Sequence, residues 1–362
     1  MTPPQNILIR GVNWLGDAIM ALPALQRLRE AQPEAKLTLL TDEKLSGLWE
    51  ESDHIDDILT FKKGESPYLI GKRLRNYAYD TALILPNSFR TALECWHGGI
   101  PRRIGYAGNW RNLLLTNAIE PRPESIPMQK RVKIDIEYRL INQLEPQTFP
   151  SSAHHIHQYL HLVKQLGAND TPVAPILNCK HDASAFETTH HPRPYLGLIS
   201  GAEYGPAKCW PKENFIVVAN QMIEKHQVHV LLLGGPNDIK TADEIASKIP
   251  SDHTTNLAGK TSLSKLVSVL ADCDVILCND SGPMHVAAAV GTPVVVPFGS
   301  TSPDLTGPGL PNDTNSPHQL LRTDASCSPC FLRECPIDFR CLKAITVNEV
   351  MAAVERVLAS KS

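Results

Sequence analysis

The sequence has no apolar run near the roughly 18 residues a membrane-spanning helix needs, and its start, MTPPQNILIR, has no apolar region of the signal-peptide kind. A cytoplasmic protein without a spanning segment is therefore expected. There is no surplus of positive charge. With 35 Lys and Arg against 38 Asp and Glu, a formal net charge of -3, no whole-molecule field favours nucleic acid, and any anion site must be local. The Gly-x-Gly-x-x-Gly fingerprint of dinucleotide binding is missing after the first apolar run, which counts against a nicotinamide-dependent oxidoreductase. No internal repeat or low-complexity tract stands out, and 42% hydrophobic with 20% charged residues is the balance of a globular chain rather than a disordered one.

What is present reads as two domains, since 362 residues exceed what one core usually supports. Apolar, β-branched runs at 7–12, 37–41, 55–61 and 81–86 alternate with amphipathic stretches at 18–30, 68–79 and 91–97, the pattern of a parallel sheet wound with helices. Ile19, Leu22, Leu25 and Leu28 recur every three residues and predict one buried helical stripe. Over 169–194 the periodicity fails, and Pro172, Pro175, Pro192 and Pro194 accumulate as in a linker. A second winding follows, with strands at 195–200, 229–233, 274–279 and 293–298 and helices at 214–226, 263–271 and 283–290. Thr346-Val-Asn-Glu349 spells a capping box ahead of Val350, Val354 and Leu358. The predicted class is α/β, with two Rossmann-like domains facing each other across a cleft, 1–168 and 195–345, joined by the linker 169–194. A final helix over 346–362 completes the chain, and packing back on the first domain is one arrangement for it.

Several turns carry chemistry. Gly11-Val-Asn-Trp-Leu-Gly16-Asp17 leads from the first strand into a helix, where Asp17 is either a functional carboxylate or one that merely complements the helix dipole. Asn279-Asp280-Ser281-Gly282-Pro283-Met284-His285 joins an apolar strand to a helix. Small residues let the chain turn tightly there, and free N–H groups at the helix start suit a pyrophosphate. His285, one turn in, faces either ligand or core; its neighbours Asp280 and Ser281 favour the ligand. The loop Ser200-Gly201-Ala202-Glu203-Tyr204-Gly205-Pro206-Ala207-Lys208 brings one cation, either a phosphate counter-charge or a solvated surface lysine. Asp238 sits where a carboxylate can bond ribose hydroxyls or cap a helix. The stretch 256–262 reads as an adenine frame or as an ordinary turn capped by Ser262. Of nine cysteines, Cys95, Cys179, Cys209, Cys273 and Cys278 are scattered and expected to be reduced. Cys327-x-x-Cys330-x4-Cys335-x5-Cys341 is compact enough for a zinc knuckle, yet its second pair lacks the Cys-x-x-Cys spacing, so no metal is assigned and reduced thiols remain the other reading.

The segments GVNWLGDAIMALPAL, GLISGAEYGPAKCWP, CNDSGPMHVAAAVGTPVVVPFGSTSPDLTGPG and CSPCFLRECPIDFRCL resemble the ADP-heptose:lipopolysaccharide heptosyltransferases of glycosyltransferase family 9, most of all their heptosyltransferase II members. The resemblance runs from Asn6 to about Leu358. It implies a GT-B fold, an acceptor-binding first domain, a second domain binding the nucleotide sugar, ADP-heptose as donor with no further cofactor, and the lipid-linked inner-core heptose as acceptor. It also implies transient contact with the cytoplasmic face of the inner membrane, for which Arg102, Arg103 and Arg111 are the candidate basic residues. Asp17 is similar to the family's catalytic carboxylate. Lys208, with Ser200, Gly201, Asp280, Ser281, Gly282 and His285, is similar to its donor loops. Asp238 matches a position that is commonly Glu. Asn13, Trp14, Arg90, Arg103 and Arg111 are candidates for acceptor contacts. Another heptosyltransferase with a different acceptor, or a nucleotide-sugar binding protein without catalysis, would share much of this pattern.

Overall fold

A computed structural model describes residues 4–179 and 193–360; the 180–192 part of the predicted linker, with Pro192, lies outside the described residues. The first sheet contains β1 (Asn6–Arg10), β2 (Lys36–Asp42), β3 (Asp57–Phe61), β4 (Thr81–Ile84), β5 (Arg102–Tyr106) and β6 (Asn117–Ile119), in the order β3-β2-β1-β4-β5-β6. The second contains β7 (Tyr195–Ile199), β8 (His229–Leu232), β9 (Thr254–Asn256), β10 (Val275–Cys278), β11 (Val294–Phe298) and β12 (Gln319–Arg322), in the order β12-β11-β10-β7-β8-β9. Every neighbouring pair is parallel. Numbered from its own first strand, the second sheet repeats the order of the first. Both are therefore Rossmann windings whose direction of growth reverses at the centre, between β1 and β4 and between β7 and β10. Ligands of such sheets sit outside the strands' carboxyl ends at that reversal. This is the α/β, GT-B class expected from the sequence.

The central strands are buried on both faces, which is why they read as unbroken apolar runs: Ile7, Leu8, Ile9 and all of β10 are fully inaccessible. Ile7 pairs in register with Leu37 on one side and Thr81 on the other. The helix Leu15–Ala31 buries the predicted stripe and also Ala18, Met20, Ala21 and Ala24, because it packs both on the sheet and against the helix Ile156–Val163.

The chain forms two compact units, Met1–Ser125 with Ser152–Asn178, and Ile126–Ser151 with Cys179–Ser362. Residues 126–151, expected in the first domain, thus group with the second unit, and the bonds explain it. Arg131 Nε donates to Pro329 O at 2.8 Å, Arg139 Nε to Ser326 O at 2.7 Å and Phe149 N to Asp304 Oδ2 at 3.0 Å. Ile136 packs on Cys327 and Cys330. The C-terminal helix Val347–Ala359 starts on the predicted capping box, Thr346 with Glu349. Val350, Val354 and Val357 join Phe215 and Val218 of the helix Lys212–His226 in the second unit's core.

Candidate active site

In the first unit the reversal lies between the loops that follow β1 and β4. Asp17 sits in the first turn of the helix Leu15–Ala31, half-buried, and accepts a hydrogen bond from Tyr159 Oη at 3.2 Å. Burial, reinforced by the neighbouring Asp17, holds the Tyr159 phenol far above its ordinary range, so it stays a neutral donor. Arg10, at the end of β1, is buried and binds Glu94 Oε2 at 2.7 Å, Gly11 O at 2.6 Å and Asn13 Oδ1 at 3.1 Å. The turn between β1 and Asp17 is thereby fastened to the helix Phe89–His97. Glu94, fully buried, also pairs with Arg90 at 3.2 Å. Trp14 is exposed beside Lys44, whose ammonium lies 5.7 Å from its ring centre.

The structure brings Asp17, Asn13, Trp14 and Arg90 to one edge of the sheet. It does not do so for all five acceptor candidates. Arg103 is the second residue of β5, at the opposite edge, and its guanidinium donates to Leu114 O at 2.6 Å and to Ile100 O. Arg102 reaches Gln165 O at 3.1 Å. Arg111 is at the right edge but fully buried, donating to Tyr106 O at 2.5 Å, to Pro86 O and to Asn87 Oδ1. Burial lowers its pKa to about 10, so it remains charged at neutral pH while binding carbonyls, and it holds the β4 and β5 loops together. Arg103 and Arg111 thus spend most of their hydrogen bonds on carbonyls of neighbouring loops.

The second unit's reversal holds the donor candidates. Lys208 Nζ lies 2.6 Å from Asp280 Oδ2, and Thr301 Oγ1 donates to the same oxygen at 2.5 Å. Asp280 is buried and only 15% of the Lys208 side chain is exposed, so this is not a solvated surface lysine. Asn279, wholly buried, joins the two loops: its Oδ1 accepts from Trp210 N at 2.9 Å and its Nδ2 donates to Ser200 O at 2.7 Å. Gly282 and Pro283 open the helix Gly282–Ala289, and His285 is buried one turn in. At that helix start the Ser281 Oγ is buried with no hydrogen-bond partner among the described residues. A buried hydroxyl without a partner costs free energy and marks a place where a ligand oxygen would be welcome.

Asp238 behaves as a loop-closing residue. Its Oδ2 accepts from Gly235 N at 2.8 Å, and a Cβ on Gly201 would lie 1.9 Å from its Oδ1, so any side chain at 201 would have to displace the Asp238 carboxylate. Ser262 caps the helix Leu263–Asp272, its Oγ accepting from Lys265 N at 3.2 Å. The four clustered cysteines line one small cavity with Ile136, Ala207 and Ser300. Burial raises the Cys327 and Cys330 thiols and pushes Cys341 up to about 12. Among the described residues no three His, Cys, Asp or Glu side chains are arranged to hold a metal ion. What this segment visibly does is clasp the Lys208 loop, with Arg333 O accepting from Ala207 N at 2.9 Å and Phe331 O from Tyr204 Oη at 2.8 Å.

Tyr159, Thr301 and Arg333 escaped the sequence reading. Arg333 and Lys208 both approach the Tyr204 ring, at 5.0 and 5.1 Å, which gives the donor loop a second cation. No local spacing signals any of the three, since each meets its partner across a long stretch of chain.

Residues 68–339 match the family described as glycosyltransferase family 9 (heptosyltransferase). The chain is 31% identical over 313 residues to lipopolysaccharide heptosyltransferase 2 of Escherichia coli, covering 84% of this chain and 85% of that one. It is also 31% identical over 316 residues to lipooligosaccharide heptosyltransferase 2 of Haemophilus ducreyi, covering 84% and 86%. Among solved structures, E. coli ADP-heptose lps heptosyltransferase II superposes with a TM-score of 0.79 at 27% identity, over 99% of each chain.

Proposed function

The chain belongs to glycosyltransferase family 9, the heptosyltransferases, and on that footing we propose that it transfers a heptose from ADP-heptose to the first heptose of the lipopolysaccharide inner core. The observation that carries the donor half is the Lys208–Asp280–Thr301 arrangement beside the unpartnered Ser281 hydroxyl, at the start of a helix. A diphosphate suits it: Lys208 supplies positive charge, Ser281 a hydroxyl donor, and the helix start its free N–H groups.

The acceptor half rests on Asp17. In this reading an acceptor hydroxyl gives its proton to the Asp17 carboxylate while its oxygen bonds to the anomeric carbon of the heptose. The bond from that carbon to the diphosphate oxygen breaks, and ADP leaves with the electron pair. Displacement from the opposite face inverts the anomeric centre, by the geometry that governs inverting glycosidases. Lys208 and the helix start stabilise the charge that develops on the departing diphosphate. A binding protein without catalysis would keep Lys208 and Asp280 but has no use for a carboxylate oriented by a buried phenol. The acceptor is lipid-linked, and we place the reaction at the cytoplasmic face of the inner membrane. No described helix is long and apolar enough to cross a membrane.

Purified protein given ADP-heptose and acceptors carrying zero, one or two heptoses is expected to extend the one-heptose acceptor. Exclusive transfer to either of the others would assign a different acceptor within the family. Failure to transfer to any of them, with ADP still bound, would favour the non-catalytic reading.

A further inference from the structure

The loop after β5 carries an indole where neither burial nor backbone ease explains it. Trp110 is 89% exposed and lies in the left-handed region at φ 61, following Gly108 at φ 106 and Asn109 at φ 51. Glycine and asparagine enter that region readily, but a bulky side chain does so only when its surroundings hold it there. Here they do. Beneath Trp110 the buried Arg111 ties the loop to Tyr106 O, Pro86 O and Asn87 Oδ1. Asn109 Nδ2 donates to Asn87 O at 2.6 Å, and Gly108 N donates to Asn112 Oδ1 at 2.8 Å. The loop after β5 is therefore stitched to the loop after β4 and presents its tryptophan outward. Strained residues fixed in this way concentrate at ligand sites.

We propose that Trp110 is a stacking platform for a sugar of the acceptor, the one adjoining the residue that receives the heptose. The inference rests on the reading of Asp17 as the base. The surrounding chemistry selects a carbohydrate. Arg10, Glu94 and Arg111 are buried and bonded to one another or to carbonyls, whereas the neutral Asn13, Asn87, Ser88, Asn109 and Asn112 are exposed along the same edge, with Arg90 as an exposed cation among them. Neutral amides match vicinal hydroxyls. The C–H bonds on one face of a pyranose, polarised by its oxygens, fit the electron-rich face of an indole. The distance agrees as well. β1 pairs with β4 and β4 with β5, so the strand that feeds the Trp110 loop stands two strand spacings, about 10 Å, from the strand that leads to Asp17, on the scale of a neighbouring sugar.

The test uses the full chain, a deacylated water-soluble acceptor oligosaccharide, and the variants Trp110→Ala and Trp110→Phe. Adding oligosaccharide without donor should change the tryptophan emission of the wild type, and the change should be clearly smaller in Trp110→Phe, where only Trp14 remains at this edge. In steady state Trp110→Ala should raise the acceptor KM about tenfold with the donor KM and kcat unchanged, and Trp110→Phe should recover most of the loss. An unchanged acceptor KM for Trp110→Ala on the soluble oligosaccharide overturns the proposal. A defect confined to acceptor embedded in vesicles also overturns it, and assigns Trp110 and the equally exposed Leu113 to membrane contact instead. If the emission change shrinks in Trp110→Phe but the wild type transfers nothing, the platform stands and the proposed reaction falls. If transfer is normal and the emission change is absent, only the platform falls.

Discussion

The two units wind their strands in the same order and reverse at the same place, yet the two reversals carry opposite chemistry. The second is a charged, glycine-rich turn: Lys208 against Asp280, Thr301 on the same oxygen, and Asn279 locking the β7 and β10 loops together. The first keeps most of its charges underneath. Arg10, Glu94 and Arg111 are buried as scaffolding, and the exposed rim is mainly amide and aromatic with Arg90 and Lys44 as its cations, while Asp17 is held by a phenol. The topology supplies the same reversal in each unit, and the loops give the two their different chemistry. Fold-level likeness alone would have predicted two copies of the same site.

Substitutions can break this division of labour. The largest effect is expected at Asp17: Asp17→Asn should lower kcat by about 10²–10⁴-fold while ADP affinity, measured by calorimetry, stays near that of the wild type. Full turnover in a folded Asp17→Asn protein would remove the base from the first unit. On the other side, Lys208→Ala should weaken ADP binding about ten- to a hundredfold, the loss of one charge-assisted contact of about 1.5–3 kcal/mol. Equal ADP affinity in the variant would show that Lys208 serves only Asp280. The smallest of the three is Tyr159→Phe, which removes one neutral donor from Asp17. A drop in kcat of about tenfold or less, with ADP affinity untouched, is expected from a hydrogen bond of about 0.5–1.5 kcal/mol. Because Tyr159 stays protonated well above neutral pH, wild type and variant should share the same alkaline behaviour. An alkaline limb present only in the wild type would mean that the phenol itself titrates in the reaction.

What was legible in the sequence follows the burial of each element. β1, β2, β7, β8, β10 and β11 have apolar cores and were read to within a few residues. β6, β9 and β12, with sequences Asn-Ala-Ile, Thr-Thr-Asn and Gln-Leu-Leu-Arg, lie at sheet edges, where a half-exposed strand has no need of an apolar run. β5 was missed because it opens on two arginines, and those bond loop carbonyls rather than solvent. At the sites, turn chemistry pointed to Asp17, Lys208, Asp280 and Ser281. Tyr159 could not be found in that way, since it reaches Asp17 from 142 residues further along the chain and the helix around it reads as ordinary core.

The excursion of residues 126–151 into the second unit sets an order of events during synthesis. Arg131 must wait for the carbonyl of Pro329, a partner 198 residues later, and Ile136 for Cys327 and Cys330. At ribosomal speeds of about 5–20 residues per second that is a delay of about ten to forty seconds. Throughout it the face of the helix Lys133–Ile141 that ends up covered is open to water and to other chains. The nascent chain thus carries an apolar face that only the far end of its own second unit covers.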